Sequence, residues 1–112
     1  DVYKRQSIFL DLGLKIVVVK KGGQGAELFS NEENIKIGAY KVNVVDPTGA
    51  GDVFGGAFIS TLAQGGTLSD SLINGSAMAS FCVQGFGTSC ILNVSEEEFE
   101  HRKSNLYSTL SS

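Results

Sequence analysis

The sequence predicts an α/β protein in which helices flank a mostly parallel sheet, and three observations predict it. Lys15 to Lys20 reads Lys-Ile-Val-Val-Val-Lys, an uninterrupted β-branched run suited to a strand buried on both faces of a parallel sheet. Tyr40 to Val45 alternates and then runs apolar, as a strand entering a core does, while Val53 to Leu62 has the apolar density of a buried helix. Between them lies Asp46-Pro47-Thr48-Gly49-Ala50-Gly51-Asp52, a glycine cluster where a strand hands over to a helix.

Taken in order, Asp1 to Gln6 is polar and basic, has no periodicity joining it to the residues after it, and is expected to be a disordered end. Ser7 to Leu12 resembles the last turns of a helix stopped by Gly13, so a first helix cut at residue 7 marks the chain as an expected fragment, with its folded unit over residues 7–107. Lys21-Gly22-Gly23-Gln24-Gly25 reads as a turn, Ala26 to Ser30 as a second strand and Ile35 to Gly38 as a short edge strand. A helix from Ala50 to Ala63 is stopped by Gly65-Gly66, and Thr67 or Ser69 caps another from Leu68 to Val83. Gly85 to Ser89 is a loop, Ser95 and Glu98 form a capping box for a last helix to Leu106, and residues 108–112 are expected to be disordered.

A chain of 112 residues holds one domain, and 42% apolar with 19% charged residues describes a globular piece. The net charge of −3 gives no electrostatic reason to expect nucleic acid or an anionic membrane as partner. No apolar run reaches the ~18 residues that span a bilayer, and a cytoplasmic location is expected. Cys82 and Cys90 match no CxxC or zinc spacing and are expected as reduced core thiols. His101 lies among Glu96, Glu97, Glu98, Glu100, Arg102 and Lys103, on what is expected to be a solvated helix face.

The glycine cluster is the place for chemistry. The first amides of a helix have no internal partner and the helix dipole adds partial positive charge, so an anion is stabilised there. Gly49 and Gly51 let the backbone approach a phosphate without a Cβ in the way. Asp52 is odd for a simple anion cradle, and it reads best as a base taking a proton from an attacking hydroxyl. Gly49, Gly51 and Gly55 also form the G-x-G-x-x-x-G spacing of some dinucleotide-binding turns, which would point to an oxidoreductase. That reading wants a strand after the first glycine helix with an acidic residue at its end, whereas two helices come next here and Asp70 sits on one of them.

The stretch from Asp46 to Phe58, Asp-Pro-Thr-Gly-Ala-Gly-Asp-Val-Phe-Gly-Gly-Ala-Phe, resembles the second signature of the ribokinase (PfkB) carbohydrate-kinase family. Residues 8 to 105 resemble the family's C-terminal portion in order. The resemblance implies a three-layer ribokinase-like fold and ATP-dependent phosphorylation of a hydroxymethyl group on a sugar or sugar-like substrate. Asp52 would be the base, the amides of Gly49, Ala50 and Gly51 would stabilise the transferred phosphoryl group, and Mg²⁺ would bridge the phosphates. Gly22 and Gly25 match a family turn that borders the nucleotide, with Lys20 where the family has threonine, and Ser76 stands at a position flanking the adenine. A potassium site is implied at Asp46, Thr48, Cys82, Gly85 and Gly87, mostly through backbone carbonyls. The family's acidic magnesium motif and lid belong to an N-terminal part, so this fragment alone is expected to be inactive and the full-length enzyme to be a homodimer. A nucleoside kinase of the same family would share every residue quoted, and a non-catalytic nucleotide-binding module stays open if Asp52 is held in a structural salt bridge.

Overall fold

The computed structural model describes residues 5–11, 14–21, 24–43, 49–84 and 94–111. Within them lie strands β1 (Arg5–Asp11), β2 (Leu14–Lys20), β3 (Ala26–Ser30) and β4 (Asn34–Ile37), then helices α1 (Ala50–Ala63), α2 (Leu68–Cys82) and α3 (Glu96–Tyr107). The strands form one sheet in the order β1-β2-β3-β4, every neighbouring pair antiparallel. The expectation of a mostly parallel sheet is therefore corrected for the described strands. The reason is in the connections, residues 12–13, 21–25 and 31–33, because a parallel crossover needs a dozen residues or more.

β1 also corrects the beginning of the chain, where a disordered end and the last turns of a helix were expected. Its backbone pairs with β2 in the register Arg5 to Lys20 through Asp11 to Leu14. A short apolar run such as Ser7 to Leu12 fits helix or strand equally by periodicity, and pairing with the β-branched β2 decides it.

The β-branched run of β2 alternates in burial: Ile16 and Val18 are fully buried, Val17 and Val19 half-buried. Ala26 and Leu28 on β3 and Ile35 and Ile37 on β4 continue the buried face. Phe54, Phe58, Leu68, Leu72, Ile73, Ala77 and Leu106 close onto it from the helices. Among the described residues, then, the helices cover one face of the sheet, a two-layer arrangement where three layers were expected.

α1 and α2 form a hairpin across residues 64–67, with Gly65 at φ +88°. A Cβ on Gly75 would lie 2.8 Å from Phe54 Cδ1, so this glycine lets the two helices pack closely. Thr67 caps α2 by accepting from the Asp70 amide at 3.0 Å while the Asp70 carboxylate accepts from the Thr67 amide at 3.4 Å, a capping box. Ser95 caps α3 by accepting from the Glu98 amide at 3.1 Å.

The segment after α3, expected to be disordered, is placed as far as Ser111. Ser111 bridges β4 through reciprocal backbone bonds with Lys36 of 2.7 and 2.9 Å, and the Thr109 hydroxyl accepts from the Gly38 amide at 2.8 Å. An edge strand offers unpaired backbone groups, and this segment takes up some of them. Cys82, expected as a reduced thiol, is disulfide-bonded; the other cysteine of the sequence, Cys90, lies outside the described residues. The stretch 40–43, expected to open a strand, is not in one, and residues 44 and 45 lie outside the described residues.

Candidate functional site

The site begins at the first turn of α1. Gly49 sits before it at φ 83°, ψ −11°, a left-handed conformation that glycine adopts without strain. No side chain caps this end, and the Gly49 carbonyl accepts from the Val53 amide at 3.0 Å. The amides of Ala50, Gly51 and Asp52 have no acceptor within the helix. A Cβ built on Gly51 meets nothing within 4 Å, so nothing described stands over that turn. Asp52 is exposed in the same turn and is absent from the described ion pairs. Gly49 carries the positive φ, and Gly51 does not: its backbone is ordinary helix.

Behind this turn α1 sends Phe54 into the wall of a cavity of about 270 Å³. Lys20 at the end of β2, Gly25 in the following turn and Ser76 on α2 line the same cavity. Ser76, far from Lys20 and Gly25 in sequence, is thus brought to them by packing α1 and α2 on the sheet. The Lys20 ammonium lies 3.8 Å from the centroid of the Phe54 ring, a cation–π contact that lets an apolar wall carry a positive charge. Gly25 has φ +97°, and a Cβ there would collide with the Ile37 carbonyl, so close approach to β4 requires glycine whatever the cavity holds. Tyr40, Lys41 and Ser80 complete the polar part of the lining. Of these Ser80 was legible in principle, since it follows Ser76 by one helical turn and shares its face. Tyr40 and Lys41 carried no such signal.

Gly22, Asp46, Thr48, Gly85 and Gly87 lie outside the described residues. Cys82, the remaining candidate, is fully buried at the end of α2. Asp70, the acidic residue a dinucleotide reading would need on a strand, is committed elsewhere. It completes the capping box of α2 and accepts a hydrogen bond from the Tyr107 hydroxyl. That bond, helped by the Thr67 amide and hydroxyl, holds the Asp70 carboxyl below its ordinary 3.8 against partial burial. Burial, and then the bond to Asp70, pushes the Tyr107 hydroxyl up from 10.0 to about 12. No strand separates α1 from α2, so the dinucleotide-binding arrangement is absent from the described residues.

Arg102, expected on a solvated face, is 6% exposed. Its guanidinium stacks 3.7 Å from the Phe81 ring centroid and 4.8 Å from that of Tyr40. A side chain long enough to reach across to α2 buries its charge there because each nitrogen finds an acceptor.

Comparison with known proteins supports the reading of the signature. A ribokinase of Staphylococcus aureus is 38% identical over 90 residues, which are 80% of this chain and 30% of that protein. A crystal structure of ribokinase from Thermotoga maritima is 39% identical with a TM-score of 0.68, covering 84% of this chain and 31% of the other. An Escherichia coli protein described as a ribokinase II, in complex with ATP and Mg²⁺, is 33% identical with a TM-score of 0.62, covering 73% of this chain and 26% of the other. The chain spans less than a third of the length of these relatives. The structural neighbours are ribokinase-fold proteins, and residues 1–93 match the sequence profile of the pfkB family carbohydrate kinases. The chain belongs to that family.

Proposed function

We propose that this chain supplies the nucleotide-binding and proton-accepting part of an ATP-dependent kinase whose acceptor is a hydroxymethyl group of a sugar or a sugar-like molecule such as a nucleoside. The observation that carries the reading is the uncapped first turn of α1, with an exposed carboxylate at Asp52, on the helix whose Phe54 walls a cavity shared by Lys20, Gly25 and Ser76.

In this reading the acceptor hydroxyl gives its proton to the Asp52 carboxylate as its oxygen attacks the γ-phosphorus, and the bond from that phosphorus to the β-phosphate oxygen breaks to release ADP. The amides of Gly49, Ala50 and Gly51 stabilise charge on the phosphoryl oxygens, since they are already aimed out of the helix. Lys20 adds positive charge at the cavity wall, Gly25 allows the turn to approach the nucleotide, and Ser76 lies beside the purine. A Mg²⁺ ion bound by the nucleotide would neutralise phosphate charge. Among the described residues no three acidic, histidine or cysteine side chains gather to hold a metal. A monovalent cation at Asp46, Thr48, Cys82, Gly85 and Gly87 belongs to the same proposal.

Asp52→Asn in the full-length protein tests it. The amide keeps the size of the side chain and cannot take the proton, so phosphoryl transfer to a responsive sugar or nucleoside should fall ~10²- to 10⁴-fold. ATP affinity, read by calorimetry, should stay close to wild type. An Asn variant with wild-type kcat would sink the mechanism.

A further inference from the structure

We infer that Arg102 is a positioning residue for the nucleotide cavity, acting through Ser80 and Tyr40 without touching the ligand; the inference rests on the nucleotide reading of that cavity. Ser80 and Tyr40 line the cavity and Arg102 does not. Arg102 joins three elements at this point. From α3 its Nη1 donates to Ser80 Oγ at 2.8 Å and its Nη2 to Gln84 Oε1 at 2.8 Å, both at the C-terminal end of α2 or just beyond it. Its Nε donates to Glu98 Oε1 at 3.2 Å one turn back on α3, which fixes the guanidinium plane from the other side. The plane lies between the rings of Phe81 and Tyr40, and Tyr40 belongs to the stretch that runs from the sheet towards the signature.

The bond to Ser80 sets what that hydroxyl can offer. Ser80 donates its one proton to the Ala77 carbonyl at 2.6 Å and accepts from Arg102, so one lone pair remains and no donor. A serine in that state faces the cavity as an acceptor only, suited to a donor such as an exocyclic amino group. With a shorter or uncharged side chain at 102, Ser80 loses a buried charged donor and Tyr40 loses its stacking partner. Ser80 then keeps only its bond to the Ala77 carbonyl and Tyr40 only its edge contact with the His101 ring, so both are held less firmly in the wall. A planar fork is needed for this, because an ammonium cannot make three bonds in one plane while stacking between two rings.

The arrangement also has a simple structural use, joining α2 to α3, and the test separates the two. Arg102→Lys and Tyr107→Phe are compared in the full-length kinase. The second variant removes a hydrogen bond between the same two helices, from Tyr107 to Asp70, away from the cavity lining. Arg102→Lys should raise KM for ATP about tenfold, the scale of one lost charged hydrogen bond, with kcat and the acceptor KM unchanged. Tyr107→Phe should lower Tm and leave KM for ATP where it was. Equal ATP KM in wild type and Arg102→Lys, or an equal rise in both variants, would reduce Arg102 to helix packing and overturn the inference. The nucleotide reading fails separately: wild-type protein whose turnover does not depend saturably on any nucleoside triphosphate would overturn that reading itself.

Discussion

Two glycines of the signature, two residues apart, do different work. Gly49 occupies the left-handed region and Gly51 lies in the first turn of α1 with open space where its Cβ would be. A side chain at Gly49 is strained by roughly 1–2 kcal/mol, so Gly49→Ala should lower Tm. Gly51→Ala should instead keep or raise Tm, since alanine is about 1 kcal/mol better than glycine in a helix. If the amides of this turn receive a phosphate, Gly51→Val should weaken ATP binding while the fold survives, because the added methyls occupy the space the anion needs. Thermal melts and calorimetry of the full-length variants check the pair. A Gly51→Val protein that is unstable, or that binds ATP as wild type does, would contradict this division of labour. From the sequence alone both glycines read as backbone permitting close approach, because neither φ nor open space is encoded by residue type.

At the scale of the helices, the contact between Asp70 on α2 and Tyr107 on α3 makes their packing dependent on pH. The Asp70 carboxyl is held below its ordinary 3.8, so its contribution is present above that pH and is lost as the pH falls through the folded value. The Tyr107 hydroxyl is raised from 10.0 to about 12, so its contribution is complete below pH 10 and is lost as the pH rises towards 12. The Tm difference between wild type and Tyr107→Phe should therefore be flat across neutral pH and shrink at both ends. A difference that stays constant from acid to alkali would show that this hydroxyl and carboxylate are not bonded. Both helices were legible at this scale, since their caps are local signals: Thr67, one of the two caps expected, caps α2, and Ser95 caps α3. The partnership of Asp70 with Tyr107 was not legible, because residues so far apart in sequence meet only once α3 docks.

For the whole molecule, the side of the sheet turned away from the helices is the feature with consequences. Val17 and Phe29 are register partners there, Val17 and Val19 are half-buried, and Phe29 is 38% exposed. An apolar strip of this kind open to water binds hydrophobic dyes and favours self-association. The 112-residue chain by itself should bind such a dye, and Phe29→Thr should reduce the signal at a modest cost in Tm, since threonine suits a strand but the buried part of the ring is lost. A chain that is monomeric and binds no dye would remove the strip from consideration. By itself the chain should also show no kinase activity, which an ATP-consumption assay checks, as it spans less than a third of its relatives' length.

The sequence by itself determined what is local or written in residue identity. That covers the β-branched strand at 16–19, the helices with the caps of α2 and α3, and a signature specific enough to place the chain in its family. Tertiary structure alone decided what depends on distance through space. Pairing with β2 made a strand of Arg5–Asp11 where periodicity was ambiguous, and short connections turned the sheet antiparallel. Docking of α3 buried Arg102, which its charged neighbours in sequence had placed in solvent, because a guanidinium with acceptors in reach and aromatic faces on both sides loses little by leaving water. The cavity is of the same kind: Lys20, Gly25 and Ser76 line one volume only because Phe54 and its helix close over the sheet between them.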